Sequence, residues 1–224
     1  MKKVLLILVA TVFSFSSAMA DMVVTVGYSA NKSVFAAEGK ERNYDYAGTL
    51  AKTTVEYGAF EDSYHSIFAE VGNGIVGFGI SYVPSSISTP TLENTQVQIT
   101  NATSTSETWQ ADFDSLMTVY GIARLPKFGL YVKAGVSTMD IDITETNASA
   151  VYKDHSDVDG LTVGFGIEKD AADTGFAVRA ELMVHEFDDV SGNNGSGVGV
   201  ADANVFNVTE MMGATATISL VKNF

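Results

Sequence analysis

The chain has 224 residues, a formal net charge of −14 and no cysteine. Its acidity argues against a nucleic-acid partner, because contacts to phosphate groups need clustered lysines and arginines. The absence of cysteine excludes disulfide bonds, and the many glycines, tyrosines and phenylalanines beside only 3 prolines indicate a single all-β domain.

The first 20 residues have the pattern of a secretory signal peptide. Lys2 and Lys3 precede an apolar stretch at residues 4–15, and Ala18-Met19-Ala20 supplies the small residues of a cleavage site. The apolar stretch is too short to cross a membrane as a helix. We therefore expect that residues 1–20 are removed on export and that residues 21–224 form the mature domain.

Apolar and polar residues alternate with a period of two in eight segments, which predicts eight strands. The first strand covers residues 21–35. Residues 36–63 lose the alternation, which predicts a long loop with a short ordered piece around residues 53–60. Residues 64–71 and 75–83 form a hairpin around the tight-turn sequence Gly72-Asn73-Gly74.

The second half of the chain continues the same scheme. Residues 84–108 are a long loop, and residues 109–124 a fourth strand whose facing stays open. Two sets of alternate residues compete there, and the sequence does not settle which of them faces outward: Leu116, Thr118, Tyr120 and Ile122, or Met117, Val119, Gly121 and Ala123. The last four strands are predicted at residues 128–137, with a continuation through 143, and at 160–168, 175–187 and 204–224. Short turns at 125–127 and 169–173 and long polar loops at 144–159 and 188–203 connect them.

The seven connections alternate between long and short along the whole chain. Bacterial outer-membrane barrels have this asymmetry, with short periplasmic turns, long external loops and an even strand count. The pattern predicts an eight-stranded antiparallel up-and-down transmembrane β-barrel in a Gram-negative outer membrane, with both termini in the periplasm. Its outward faces would contact lipid, and the candidates for the aromatic girdles are Tyr82, Tyr120, Phe128, Phe176 and Phe224.

The inward face of the predicted strands carries charged residues. An eight-stranded barrel has an interior just wide enough for its own side chains, and an unpaired buried charge is costly. We therefore expect a network of glutamates with lysine and arginine that fills the lumen, in preference to a gated ion path. Its members are Glu70, Lys133, Glu168, Arg179 and Glu181.

Three histidines raise the question of catalysis. His65, His155 and His185 are each near acidic residues and are expected at outer strand ends or in loops. A general base needs a partner within hydrogen-bond reach, and nothing in the sequence brings these groups together. The acidic stretches MDIDITE and DHSDVDG lack the spacing of an EF-hand loop. We expect no catalytic, metal or cofactor site.

The chain resembles the eight-stranded outer-membrane barrel superfamily of the OmpX-like and opacity-protein type. The resemblance rests on the export signal, the eight segments, the loop asymmetry and Phe224. It implies that the barrel-assembly machinery recognises the last strand through Phe224, Leu220, Ile218 and Ala216, although Lys222 stands where an aromatic residue is usual. The stretches SIFAEVGNGIVGFGISYVP and LYVKAGV also resemble small surface proteins of marine alphaproteobacteria.

These features predict a structural or surface-interaction role without catalysis. The expected partners are outer-membrane lipid and, during insertion, the barrel-assembly machinery; the external partner of the loops stays open. Three alternatives remain. A narrow porin or transport protein needs a hydrated lumen, and a rim-located outer-membrane enzyme needs two histidine neighbourhoods to converge. A soluble exported barrel for a small apolar ligand needs polar outward faces.

Overall fold

A computed structural model describes residues 22–45, 47–97, 104–146, 155–171, 174–193 and 204–224. The predicted signal peptide lies outside the described residues. Strands make up nearly all of the described chain. They are β1 (Val23–Tyr44), β2 (Leu50–Gly72), β3 (Val76–Tyr82), β4 (Ile87–Ser88), β5 (Leu92–Val97), β6 (Ser104–Leu125), β7 (Leu130–Thr146), β8 (His155–Asp170), β9 (Phe176–Phe187), β10 (Val190–Asn193) and β11 (Asn204–Asn223).

Eight of these strands form a closed antiparallel ring. Its order is β1-β2-β3-β6-β7-β8-β9-β11, and β11 pairs back onto β1. The short strands β4 and β5 continue the wall beside β6, and β10 continues it beside β11. The predicted fold, an eight-stranded antiparallel barrel, is confirmed.

The register of the ring determines how strongly its strands tilt. Following paired residues around the barrel from Val23 leads back to β1 at Ser33, ten residues further along the strand. For eight strands, this stagger corresponds to a tilt of about 40° from the barrel axis. The path runs through Gly72, Gly77, Ile122, Lys133, Gly164, Met183 and Thr215.

The short turns lie at one end of the barrel, together with Val23 and Phe224; we call it the turn end and the opposite one the loop end. The turn at Gly72-Asn73-Gly74 is confirmed, but left-handed glycines do not make it, since neither glycine has a positive φ. Instead Asn73 Oδ1 accepts hydrogen bonds from the N–H groups of Ile75 and Val76, at 2.9 and 2.8 Å. The next turn is a short 3₁₀ segment, Pro126–Phe128, that ends in the left-handed Gly129.

Several predicted loops are wrong, because the strands continue beyond the point where the sequence stops alternating. Residues 36–63 pair as the outer parts of β1 and β2, from Ala36 opposite Ala59 to Asn43 opposite Lys52. Residues 84–108 contain β4, β5 and the start of β6, and 188–203 contain β10. Residues 144–159 contain the ends of β7 and β8. Residues 98–103, 147–154 and 194–203 lie outside the described residues.

An apolar belt surrounds the barrel next to the turn end. Outward side chains on the wall strands are aliphatic or aromatic and exposed, and most are at least 40% accessible. Examples from five strands are Val26, Ile80, Val132, Phe165 and Leu220. An exposed ion pair between Lys32 and Glu61, at 3.1 Å, lies on the outward face of β1 and β2 beyond the belt. Within the described residues, no helix is long and apolar enough to span a membrane.

Strand β6 turns its aromatic residue inward. Leu116, Tyr120 and Ile122 are buried, which settles the facing that the sequence left open. Ser115, with φ of 57°, forms a bulge that shifts the pairing with β7. Tyr120 is therefore wrong as a girdle candidate, since it is only 4% exposed. The other four candidates are exposed on the outer surface.

Candidate functional site: the lumen of the barrel

The lumen contains three layers of side chains. Charged and aromatic residues occupy the turn end, hydroxyl groups and one histidine the middle, and an apolar core the loop end. Every second residue of a wall strand faces the lumen, and the strand runs along the whole barrel, so one strand contributes side chains to all three layers. On β7, these are Lys133, Ser137 and Ile141.

Arg179 lies at the centre of the charged layer and is 1% exposed. Its guanidinium donates two hydrogen bonds to the Glu70 carboxylate, at 2.7 and 2.8 Å. Its Nε donates to Glu168 at 2.5 Å. Such bidentate arginine–carboxylate pairs are strong and fix the geometry of both groups.

Two further cations complete the charged layer. Lys133 lies 2.7 Å from Glu181 and 3.8 Å from Glu70, and Arg124 approaches Glu70 to 2.5 Å. The structure thus brings together all five side chains that the inward parity pointed to, and adds Arg124. Sequence reasoning missed Arg124 because the facing of β6 was open. In the described lumen, three carboxylates face three cations, so the layer is neutral.

Aromatic rings pack against the cations. Phe68, Tyr120 and Tyr131 all lie within 6 Å of the Lys133 ammonium, at 5.3, 4.5 and 5.6 Å to the ring centroids. The Arg179 guanidinium lies between Phe68 and Tyr131. These cation–π contacts stabilise desolvated cations.

Five rings of the described lumen each lie over a glycine directly opposite on the neighbouring strand. A Cβ atom on any of these glycines would overlap the ring, so the missing side chain makes the room in which the ring packs. Cross-strand pairs of this kind stabilise sheets and fix their register. The pairs are Gly27–Phe68, Gly79–Tyr120, Gly166–Tyr131, Gly160–Phe187 and Gly213–Phe35.

A continuous chain of hydrogen bonds forms the middle layer and crosses seven of the eight wall strands. Its centre is His185, which is 5% exposed and bonded through Nδ1 to Thr162 at 2.8 Å and through Nε2 to Thr215 at 3.0 Å. Neutral imidazole offers one donor and one acceptor, and hydroxyl groups can match either. The other links are Thr118–Ser137, Ser137–Thr162, Thr215–Ser33 and Ser33–Tyr64, at 2.6 to 3.0 Å.

The space left inside the lumen is small. A cavity of about 50 Å³ lies beside the middle layer, lined by residues that include Ser66, Lys133 and His185. This volume accommodates a few water molecules. Pockets for small organic ligands are commonly about 300–1,000 Å³.

An apolar core closes the loop end. Ten buried residues pack there, with the rings of Phe35, Phe60 and Phe113 stacked beside them at centroid distances of 5.4 and 5.8 Å. This core lies inside the part of the barrel that extends beyond the apolar belt. The buried residues are Tyr64, Val83, Ile87, Leu116, Met139, Ile141, Val158, Phe187, Val190 and Met211.

Two of the histidines lie on opposite sides of the wall. His185 is inside the lumen, whereas His65 is exposed on the outer face of β2 and stacks on Tyr28 at 5.3 Å. The expected position at a strand end holds for His185, which lies two residues before the end of β9, although its side chain is in the lumen. The expectation is wrong for His65, which lies well within β2. The side chain of His155 is outside the described part of the chain. No three His, Cys, Asp or Glu side chains of the described residues converge as a metal site requires.

The four residues of the implied assembly signal share one face of β11. Phe224, Leu220 and Ile218 are 71%, 54% and 65% exposed, and Ala216 lies beside them on the outer surface. Lys222 has the same facing, and its Nζ lies 4.4 Å from the ring centroid of Phe176, its partner on β9. The neighbouring strand thus supplies an aromatic ring where β11 has a lysine.

A closed ring of strands with an apolar outside and a polar, paired inside is the architecture of a transmembrane β-barrel. Lipid offers no hydrogen-bond partners, so the backbone groups of a membrane-spanning sheet must all pair within the protein, as they do in a closed ring. Comparison with solved structures agrees with this class. The outer-membrane protein OprG of Pseudomonas aeruginosa aligns with 92% of this chain and 96% of its own, at 10% identity and a TM-score of 0.50. The chain therefore has the fold of the bacterial outer-membrane β-barrels.

Two other solved barrels are similar at lower TM-scores. Ail, the attachment invasion locus protein of Yersinia pestis, was solved in complex with the heparin analogue sucrose octasulfate; it is 14% identical over 84% of this chain and 98% of its own, at a TM-score of 0.34. The outer-membrane protease OmpT of Escherichia coli is 8% identical over 89% and 97%, at 0.41. No family model and no curated protein matches the chain.

Proposed function

We propose that this chain is a closed outer-membrane barrel with a structural or surface-interaction role and without catalysis or conductance. The observation that carries the proposal is the filled lumen. Ion pairs occupy the turn end and an apolar core occupies the loop end, and the cavity between them holds only about 50 Å³. A conducting pore needs a continuous hydrated path, as in the much wider porins.

The proposed location is the outer membrane, with Val23 and Phe224 at the periplasmic side. The short turns at this end and the long extensions at the other support that orientation, since outer-membrane barrels have short periplasmic turns. The signal-peptide pattern of residues 1–20 supports export. Phe224, Leu220, Ile218 and Ala216 would then meet the barrel-assembly machinery on the lipid-facing side of β11.

A surface-interaction role is supported by the long β1–β2 hairpin. From Lys32 and Glu61 to its tip the hairpin extends about 30 Å beyond the belt, given a rise of about 3.3 Å per residue and the strand tilt. Its apolar side chains lie open, with Tyr57 77% and Val55 46% exposed. A projecting sheet with exposed aromatic and aliphatic residues is suited to contact another macromolecule.

An enzymatic role finds less support. The two histidines with described side chains face opposite sides of the wall, so they cannot share a substrate. Each ring nitrogen of His185 is bonded to a threonine hydroxyl inside the sealed lumen. A general base at this position would have no access to a substrate at the rim.

The proposal is tested by fractionation followed by electrophoresis and bilayer recording. We expect the protein in the outer-membrane fraction, with different gel mobility before and after boiling, and no steady single-channel currents from the purified barrel. A protein found only in the periplasm, with the same mobility boiled and unboiled, would contradict the membrane location. Steady currents would contradict the closed lumen.

A further inference from the structure

We propose that one arc of the turn-end rim is a contact surface for anionic phospholipid headgroups of the periplasmic leaflet. The arc covers the turn between β6 and β7, and the adjoining ends of β8, β9 and β11, which follow one another around the ring. Three lysines and three phenylalanines alternate along it: Lys127, Phe128, Lys169, Phe176, Lys222 and Phe224. The inference rests on the membrane location proposed above.

Lys222 is held at the rim by its neighbours. Its Nζ lies over the Phe176 ring at 4.4 Å and donates a hydrogen bond to the Thr174 carbonyl at 3.0 Å. An ammonium group offers three donors, so one or two remain for a ligand. The lysine also follows the outward Leu220 along β11, which sets its charge at the edge of the apolar belt.

The other two lysines have the same relation to the belt. Lys127 is exposed, with its Nζ 5.9 Å from the ring of Phe128, and the outward residue that follows the turn is Leu130. Lys169 is exposed and pairs with the outward Val178 of β9. Each cation therefore lies where lipid headgroups begin, with an aliphatic residue on its lipid side.

The outward side-chain charges of this arc are positive in the described residues. Glu168 and Asp170 have the opposite facing from Lys169; Glu168 is bound by Arg179 in the lumen, and Asp170 is exposed at its mouth. The loop end is different, since outward carboxylates pair across β6 and β7 as Asp112 with Asp142 and Asp114 with Asp140. The basic arc is thus a local feature of a chain whose net charge is −14.

A phospholipid fits this surface better than a soluble anion does. Outer-membrane barrels have girdles of aromatic residues at the membrane interface, and lysine side chains place their charge there. The rings of Phe128 and Phe224 are 65% and 71% exposed beside the lysines. A headgroup phosphate would contact the ammonium groups while its acyl chains lie along the belt above them. A free phosphate would gain only the screened charge contact.

The experiment uses the barrel extracted from the outer membrane and reconstituted in phosphatidylethanolamine vesicles. Trp109, the only tryptophan, is replaced by phenylalanine, and Phe176→Trp places a reporter inside the arc. Quenching by brominated phosphatidylglycerol is compared with quenching by brominated phosphatidylethanolamine at equal mole fraction. A second reporter, Val76→Trp, lies outward on β3, outside the arc.

We expect about fivefold enrichment of phosphatidylglycerol at the Phe176 position, the factor that one lysine near an anionic surface provides. The enrichment should disappear in the variant Lys127→Gln/Lys169→Gln/Lys222→Gln and fall with rising salt. The Val76 reporter should show equal quenching by both lipids.

The outcomes separate this inference from the proposed function. A barrel that inserts but shows equal quenching at Phe176 would overturn the inference alone. The same holds if the triple glutamine variant keeps the preference, or if the Val76 reporter shows it too. A protein that inserts into neither kind of vesicle, judged by unchanged gel mobility on boiling, would overturn the inference together with the membrane location.

Discussion

Replacing Arg179 by methionine is expected to destabilise the barrel without opening it. The guanidinium is 1% exposed and makes three hydrogen bonds to carboxylates, two to Glu70 and one to Glu168. Methionine has a similar reach but no charge, so the substitution removes the ion pairs and leaves most of the packing in place.

The magnitude follows from the partners that are left behind. Breaking a buried ion pair on one side costs about 3–5 kcal/mol, because the remaining charge stays buried without compensation. Glu70 keeps Arg124 at 2.5 Å and Lys133 at 3.8 Å. Glu168 loses its partner but has a side chain that is 20% exposed to solvent. We therefore expect a loss near the lower limit, about 3 kcal/mol.

Urea unfolding in lipid vesicles, followed by the gel mobility of unboiled samples, measures this loss. The matched control is Lys32→Met, which removes a pair whose side chains are 52% and 69% exposed and should cost less than about 1 kcal/mol. Adding Glu168→Gln to Arg179→Met should recover part of the loss, since it removes the stranded carboxylate. Lys133→Met provides a second test of the same layer.

Two results would refute this reasoning. An Arg179→Met barrel with the unfolding midpoint of the wild type would mean that the charged layer contributes nothing to stability. Steady single-channel currents from the variant, absent in the wild type, would mean that Arg179 gates a path through the lumen.

Three further predictions concern a lumen ring, the middle layer and the last strand. Gly79→Ala should cost about 1–3 kcal/mol in the same unfolding assay, because the added methyl group overlaps the Tyr120 ring. Gly58→Ala, where nothing lies within 4 Å of the added atom, is the matched control, and equal losses would contradict the packing argument. His185→Phe should cost about 1–3 kcal/mol, because it removes two buried hydrogen bonds, to Thr162 and Thr215, each worth about 0.5–1.5 kcal/mol; an unchanged midpoint would contradict this. Phe224→Ala should lower the amount of barrel in the outer membrane of cells and leave refolding into vesicles unchanged, whereas equal loss in both assays would indicate a folding defect instead of a lost assembly signal.

The sequence predicted the parts of the fold that lie within the belt. There, outward residues such as Leu161, Val163 and Phe165 contact an apolar medium. The residues that alternate with them along the strand face a polar lumen, so the period of two is clear. The same parity assigned Glu70, Lys133 and Arg179 to the inside, where the structure has them. Strand existence and facing could be predicted because both sides of the wall impose a pattern.

Two features escaped prediction for physical reasons. The bulge at Ser115 shifts the facing of β6 by one residue, so neither parity fits the whole segment, and Arg124 and Tyr120 were not assigned to the lumen. A glycine opposite a lumen ring is a signal that could have resolved this. Gly79 on β3 lies opposite Tyr120, and residues directly opposite each other in a sheet face the same side. The inward parity of Gly79 on β3 therefore favours an inward Tyr120 on β6.

In the outer parts of the strands the polar and apolar faces are exchanged, which explains why these parts were predicted as loops. On β7, Val132 and Val136 face outward and Lys133 and Ser137 face inward; further along, Asp140 and Asp142 face outward, while Met139 and Ile141 are buried. The polarity inverts where the surrounding medium changes from lipid to water, because beyond the bilayer the inside becomes the apolar core of an ordinary water-soluble sheet. The position of the inversion, near Thr138, therefore marks the loop-end edge of the apolar belt on this strand. The apolar layer beyond it is stabilised by the hydrophobic effect, which the polar lumen within the belt lacks.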